Sequence, residues 1–230
     1  YKFSCGPFAP EVYRLPFPNF YKYSGRDSME EFVENELRRL HDSAKTLVDI
    51  NTVAAIIVEP IQGEGGFNPI PKKYLEGLRA FCDEYGVMLI LDEVQSGFCR
   101  TGHWASWQHY GVQPDLSTYA KSMGSGLPIA AVVGKAEIMD AALPGTIGGT
   151  YIGSPVCCAA ASATIQYMKD INLNERALHI GEIVMQRMSN LQKKVSEIGE
   201  VRGIGAMIGI EFIKDKNPNS PHTELCDKIV

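Results

Sequence analysis

Long apolar runs are missing from this chain. Nothing approaches the ~20 residues a membrane-spanning helix needs, so a membrane is not an expected partner. A basic stripe is missing too. The 22 lysines and arginines face 27 aspartates and glutamates, for a net charge of -5. No positive cluster offers the surface that nucleic acid requires. The six cysteines (Cys5, Cys82, Cys99, Cys157, Cys158 and Cys226) make no Cys-x-x-Cys pair and no zinc spacing, so no metal site is expected. Their unpatterned use suits a reducing cytoplasm, with Cys157 and Cys158 read as buried small residues of an alanine-rich helix. No apolar leader core is visible in residues 1–20, where prolines, aromatics and charges are scattered. Internal repeats and low-complexity tracts are also absent.

What is present is an ordinary globular composition. The chain has 230 residues, 45% hydrophobic and 21% charged, enough for a sizeable core and one or two domains. It starts without Met in a loop-like stretch, and its last residues, Asp227-Lys228-Ile229-Val230, have the pattern of the middle of an amphipathic helix. Both features predict a central piece of a longer protein.

Local patterns predict the elements. Residues 1–27, rich in Pro, Phe and Tyr, read as an extended loop packed by its aromatics. Ser28-Met29-Glu30-Glu31 spells a capping box and predicts a helix from Met29 to about Ala44. Residues 53–59 form an apolar, β-branched run expected to be a buried strand. Pro71 suits a first helical position and Gly86 a C-terminal cap for a helix over 71–85. Residues 87–91 are wholly apolar and read as a second buried strand. This strand–helix–strand order predicts a right-handed parallel βαβ unit. Strands are expected at 116–120 and 129–133. Ser154-Pro155 predicts the start of a helix to about Lys169, and a second helix is expected over about 174–198. A strand over 206–212 follows a glycine-rich entry at 202–205.

Two ionisable residues stand where such strands end. Asp92 lies in Leu89-Ile90-Leu91-Asp92-Glu93-Val94-Gln95-Ser96-Gly97-Phe98, and Lys121 in Tyr119-Ala120-Lys121-Ser122-Met123-Gly124-Ser125-Gly126. A carboxylate at the rim of a core is costly without a positive partner. A lysine in a partly desolvated pocket loses its proton readily and attacks carbonyls. Pyridoxal phosphate (PLP) uses both: a carboxylate on its ring nitrogen and a lysine on its aldehyde. Taken singly, Asp92 could equally be a helix cap or a surface ion pair, and Lys121 a solvated turn residue. The predicted βαβ unit places Glu59 and Asp92 at the carboxyl ends of their strands, the edge where open α/β sheets bind ligands.

Three longer segments join these residues: Val58-Glu59-Pro60-Ile61-Gln62-Gly63-Glu64-Gly65-Gly66-Phe67, Asp92 to Gly102, and Ala120 to Pro128. Their order and wording closely resemble the class III, or omega, aminotransferases, nearest in motif to 4-aminobutyrate aminotransferases, over nearly the whole chain. The resemblance implies an α/β chain with the type I fold of PLP-dependent transferases. In that fold a central, mostly parallel sheet is flanked by helices and followed by the start of a small C-terminal α/β domain. Residues 1–155 would be part of the large PLP-binding domain, 156–180 a connecting helix, and 181–230 the beginning of the small domain.

The resemblance also implies roles. Lys121 would carry the cofactor and shuttle the proton. Asp92 would pair with the ring nitrogen, Gln95 with the phenolic oxygen, and Val94 would pack on the ring. Glu59 would stand near the reacting imine. Gly149 and Thr150 would reach the phosphate of the neighbouring subunit in a homodimer with shared sites. Glu64 would act as a substrate gate with an arginine beyond Val230, and the phosphate cup would precede Tyr1. The activity implied is transfer of an amino group from an omega-amine to a 2-oxo acid by a ping-pong mechanism. Ornithine or acetylornithine aminotransferase, 2,1-aminomutase, dialkylglycine-type decarboxylase and a non-catalytic binding relative stay open beside it. His103, Trp104, Trp107 and His109 read as packing, Arg100 as a residue near the site entrance.

Overall fold

The capping box at Ser28 forms as spelled in the computed structural model, which describes residues 6–23 and 25–229. Ser28 Oγ accepts the Glu31 N–H at 3.2 Å, and Glu31 accepts the Ser28 N–H at 2.8 Å. The helix it starts, α1 (Met29–Thr46), turns Phe32, Val33 and Leu40 into the core. Before it, residues 6–23 hold no helix or strand. The rings of Phe20 and Tyr23 pack on Phe32 at 5.4 and 4.9 Å, as expected of an aromatic-packed loop. Cys5 lies outside the described residues.

The first strand, β1 (Ala55–Val58), is shorter than the predicted 53–59, because Ile50–Thr52 coil into a 3-10 turn capped by Asp49. It is also not buried on both faces: Ile57 is 61% exposed. β1 stands at the edge of its sheet, and composition does not separate an edge strand from a central one. Helix α2 (Lys72–Tyr85) follows. Pro71 is its extended N-cap (φ -60°, ψ 130°) rather than its first helical residue, and Gly86 closes it in the left-handed region (φ 66°, ψ 26°) as expected.

Strand β2 (Met88–Asp92) pairs parallel with β1 and with β3 (Leu116–Tyr119). Strand β4 (Ala131–Gly134) pairs antiparallel with β3, giving the order β1-β2-β3-β4. Leu75, Leu89 and Leu91 are fully shielded between α2 and the sheet. Burying each such side chain contributes about 1.5–3 kcal/mol. At the amino end of the sheet, Asp115 joins three elements. It accepts the Leu89 N–H at 2.7 Å, the Arg79 guanidinium at 2.7 Å and the Lys135 ammonium. Burial pushes this carboxyl up, but Lys135, the Leu89 N–H and Arg79 outweigh it and hold it at about 2.

Beyond the short α3 (Ala136–Met139), two helices lead out of the sheet: α4 (Pro155–Asp170) and α5 (Leu173–Gln192). Pro155 opens α4, yet Ser154 makes no side-chain cap bond. Cys157 is half-buried and Cys158 exposed, which corrects their expected burial. Helix α5 stops at Gln192, well short of the predicted 198. Ile198 instead begins β5 (Ile198–Ile204), which pairs antiparallel with β6 (Met207–Phe212) before α6 (Thr223–Ile229). The β5–β6 turn is pressed against the large sheet's loops. Gly205 has φ +56°, and a Cβ there would lie 2.4 Å from the Thr101 carbonyl carbon. The Ala206 N–H reaches the Arg100 carbonyl at 3.0 Å. Among the described residues no helix is long and apolar enough to cross a membrane.

Candidate active site

Three neighbouring parallel strands finish at one edge of the sheet. Val58 stands opposite Leu91, and Asp92 opposite Thr118. Glu59 follows the last residue of β1, Asp92 ends β2, and Lys121 comes two residues after β3. The topology therefore collects two carboxylates and an amine where an open α/β sheet presents ligands.

Asp92 is half-buried. Its Oδ1 accepts the Val94 N–H at 3.0 Å, which fixes the carboxylate over the turn. Among the described residues no lysine or arginine pairs with it and its Oδ2 accepts no hydrogen bond. The positive partner expected from burial is thus not supplied by these residues. The next residue, Glu93, escapes a sequence reading yet organises the turn. It is 1% exposed. It accepts Ser96 Oγ–H at 2.6 Å, Ser106 Oγ–H at 2.8 Å and the Trp107 N–H at 2.9 Å. Only Ser96, three residues on, was a local sign of it.

Glu59 and Gln95 meet at Gly63. The Gly63 N–H donates to Glu59 Oε2 at 2.7 Å. A Cβ on Gly63 would lie 1.5 Å from Gln95 Oε1, so only glycine admits the amide there. Glu64, the next residue, is exposed.

Lys121 begins a 3-10 turn, Lys121–Gly124, with φ +43°, an uncommon conformation for a non-glycine residue. It is exposed, whereas Met123 and Gly124 are buried. Among the described residues the turn after β3 leaves the lysine exposed, where a partly desolvated pocket was expected. Gly149 and Thr150 are exposed, within a stretch, 141–150, that is exposed throughout. No hydrogen bond among the described residues brings them to Glu59, Asp92 or Lys121. A groove of about 790 Å³ runs along β1, and of the candidate residues only Glu59 lines it.

The aromatic cluster after Arg100 is packing. The His103 and His109 rings meet edge-on at 4.4 Å. His109 Nε2 lies 3.0 Å from the Thr101 carbonyl and therefore donates to it. Burial, then His103, lowers the His109 pKa against that hydrogen bond. No group of three or more metal-ligating side chains occurs among the described residues.

Comparison with known proteins defines the class to which this fold and strand edge belong. The family model described as "Aminotransferase class-III" matches residues 1–230, and the chain belongs to that family. It is 42% identical over 221 residues to a probable 4-aminobutyrate aminotransferase of Bacillus subtilis, covering 96% of this chain and 51% of that protein. It is 48% identical over 178 residues to the 5-aminovalerate aminotransferase DavT of Pseudomonas aeruginosa, covering 77% and 42%. Among solved structures, an (S)-enantioselective omega-transaminase from Thermomicrobium roseum superposes with a TM-score of 0.87 at 35% identity, over 94% of this chain and 49% of that one. An amine transaminase from an uncultivated Pseudomonas species, in the PLP-bound form, superposes at 0.88 with 31% identity, over 96% and 51%. The chain spans about half the length of these relatives. The fold is the mostly parallel, helix-flanked α/β sheet that the motifs implied.

Proposed function

We propose that this chain is the central part of a PLP-dependent aminotransferase that moves an amino group from an omega-amine of the 4-aminobutyrate type to a 2-oxo acid, by a ping-pong mechanism. The observation that carries this reading is the convergence of Glu59, Asp92 and Lys121 at one edge of three adjacent parallel strands. The donor set fits the cofactor. Asp92 keeps one oxygen for Val94 and leaves the other for a protonated ring nitrogen, the positive partner its half-buried carboxylate lacks. An amide, Gln95, suits a phenolic oxygen, and a primary amine, Lys121, suits an aldehyde. Bound PLP supplies the electron sink that makes loss of a substrate proton possible.

The chain's own residues do the rest. Asp92 holds the ring proton in place electrostatically, an interaction strengthened by partial burial. Val94 would help hold the ring, and its N–H steadies Asp92. Lys121 takes the proton from the substrate carbon and returns it one stage later. Glu59, tethered by Gly63, supplies negative charge beside that proton transfer, and Glu64 gates the entry of a carboxylate-bearing substrate. Residues 1–155 form part of the large domain, 156–180 the connection, and 181–230 the start of the small one. Two copies complete the site. Leu143, Ile147, Tyr151 and Ile152 are 69–87% exposed around Gly149 and Thr150, an apolar surface suited to a partner subunit. The described cysteines are all free thiols, in keeping with a cytoplasmic enzyme.

The experiment is an assay of the whole protein with 4-aminobutyrate or 5-aminovalerate as donor and 2-oxoglutarate as acceptor. Glutamate should form only when both substrates are present, and initial rates should give parallel double-reciprocal lines. Product without an acceptor, or release of carbon dioxide, would move the reading to a mutase or a decarboxylase. A whole protein that binds no PLP would be a non-catalytic relative.

A further inference from the structure

We propose that Arg202, on β5, is a positioning residue that holds the glycine loop carrying Glu64 against the candidate active site. The loop is closed at its base: the Ile70 N–H reaches the Pro60 carbonyl at 2.9 Å and the Gln62 N–H reaches the Asn68 carbonyl at 3.0 Å. Asn68 Nδ2 also donates to the Gly65 carbonyl at 2.8 Å. Above that base the loop is fixed at two points. At Gly63 it is bonded to Glu59 and lies under Gln95. At Gly66 its carbonyl accepts two donors from Arg202, Nε at 3.0 Å and Nη2. Glu64 stands between these points, so the Arg202 clamp decides where its carboxylate can go relative to Glu59 and Gln95.

The guanidinium is built for this. Its side chain is 10% exposed. Nη1 donates to Glu200 at 2.9 Å and Nη2 to Glu211 at 2.7 Å, and Glu211 is itself held by Lys22 at 3.0 Å. Burial raises the Glu211 carboxyl, but Arg202 and Lys22 outweigh it and keep it below its ordinary value. Three elements thus orient one fork before it meets the loop. The space around it is cut to fit. A Cβ on Gly209 would lie 2.9 Å from the Gly66 oxygen, and one on Gly66, at φ +110°, 3.0 Å from Nη2. Arg202, in the two-stranded sheet, and Gly66, in the loop after β1 of the four-stranded sheet, are 136 residues apart. A displacement of the small sheet therefore moves Glu64 directly. A lysine offers its donors from a single nitrogen and lacks the planar fork with which Arg202 reaches the Gly66 carbonyl and both carboxylates from three nitrogens.

The test compares wild type, Arg202→Lys and Arg202→Met as the whole protein. Hydrogen exchange reads the clamp without reference to activity. Both variants should speed exchange of the Gly66 and Phe67 amides, which bond to the Gly63 carbonyl, by ~10-fold or more. The β5–β6 ladder amides, such as Ile210, should keep their protection. Arg202→Lys keeps the buried charge, so it remains informative where Arg202→Met does not fold. Unchanged exchange at Gly66 and Phe67 overturns the proposal. So does loss of loop and ladder protection together in Arg202→Lys, which would make Arg202 a support of the hairpin alone.

The kinetic consequence rests on the aminotransferase reading. KM for 2-oxoglutarate should rise ~10-fold in Arg202→Lys, with kcat changed less than ~3-fold. That effect should shrink in a Glu64→Gln background, because the two residues act through one loop. Equal KM effects in both backgrounds would refute action through Glu64. If the whole protein transaminates nothing, the functional reading fails, while the exchange data still decide whether Arg202 clamps the loop.

Discussion

Asp92 offers an oxygen with no donor among the described residues, at the end of a strand whose Leu89 and Leu91 are fully shielded. Replacing it with Asn keeps its size and removes the charge. Turnover of the whole protein should fall by at least ~10²-fold, the scale of other electrostatic deletions, with a smaller change in stability. Near-normal turnover would mean that the ring nitrogen has another partner. Lys121 makes a separate prediction. The PLP-bound protein should lose its yellow colour on borohydride treatment, and the peptide containing Lys121 should carry the phosphopyridoxyl group. An adduct on any other lysine would remove Lys121 from the chemistry. Glu93 tests the turn between these residues. Glu93→Gln should cost less than about 1 kcal/mol, since the Ser96 hydroxyl can rotate to accept the new NH₂. Glu93→Leu leaves the Trp107 N–H and two hydroxyls without their acceptor and should cost about 2–5 kcal/mol in denaturant unfolding. Of these residues Asp92 and Lys121 were legible in the sequence, because each ends an apolar run before a turn. Glu93 and Arg202 were not. Their partners lie 14 and 136 residues away at the far ends, and no periodicity reports such pairs.

At the scale of elements, sequence signals succeeded where the determinant was local. Ser28 and Glu31 cap α1 by bonds within three residues, and Gly86 ends α2 because its own φ is positive. They failed where a neighbour decides. Residues 193–198 continue a helix-like pattern, yet Ile198 pairs with Phe212 across a hairpin. Gly203, read only as part of a glycine-rich entry, lies within β5 beside Gly199; a Cβ would meet the Met207 carbonyl oxygen at 2.1 Å and, on Gly199, the Tyr21 hydroxyl at 2.1 Å. Lys121 was read as partly desolvated because it follows a strand-like run, 116–120, but the turn leaves it exposed among the described residues. The Asp115 junction gives a pH prediction. Its folded pKa, about 2, lies below the ordinary 3.8. The folded state therefore binds fewer protons than the unfolded one in that window. The stabilisation is fully present above about pH 4 and is lost as pH falls through about 2, amounting to about 2 kcal/mol at neutral pH. Asp115→Asn should lower stability at pH 7 by that order, and the gap to wild type should narrow in unfolding curves taken toward pH 2. A gap independent of pH would show that the carboxylate is not the source.

On the scale of the whole molecule, the apolar surface around Thr150 and the strand-end cluster belong to one argument. Leu143, Ile147, Tyr151 and Ile152 flank Gly149 and Thr150 without cover among the described residues. Thr150 makes no hydrogen bond to the strand-end residues of its own chain among the described residues. If a second copy covers this surface, Thr150 serves the partner's phosphate, and each site takes Lys121 from one subunit and Thr150 from the other. Mixing whole protein carrying Lys121→Ala with whole protein carrying Thr150→Ala then has an arithmetic consequence. In a mixed dimer one site carries both defects and the other carries neither. Activity should rise above that of either parent variant, toward half the wild-type value per mixed dimer. The measurement needs subunit exchange, shown with a mass-tagged copy, and a deficit in the Thr150→Ala homodimer. With both in hand, activity fixed at the weighted mean of the two variants would place the threonine in its own subunit's site. The exposed apolar stretch would then need an occupant other than a second catalytic subunit.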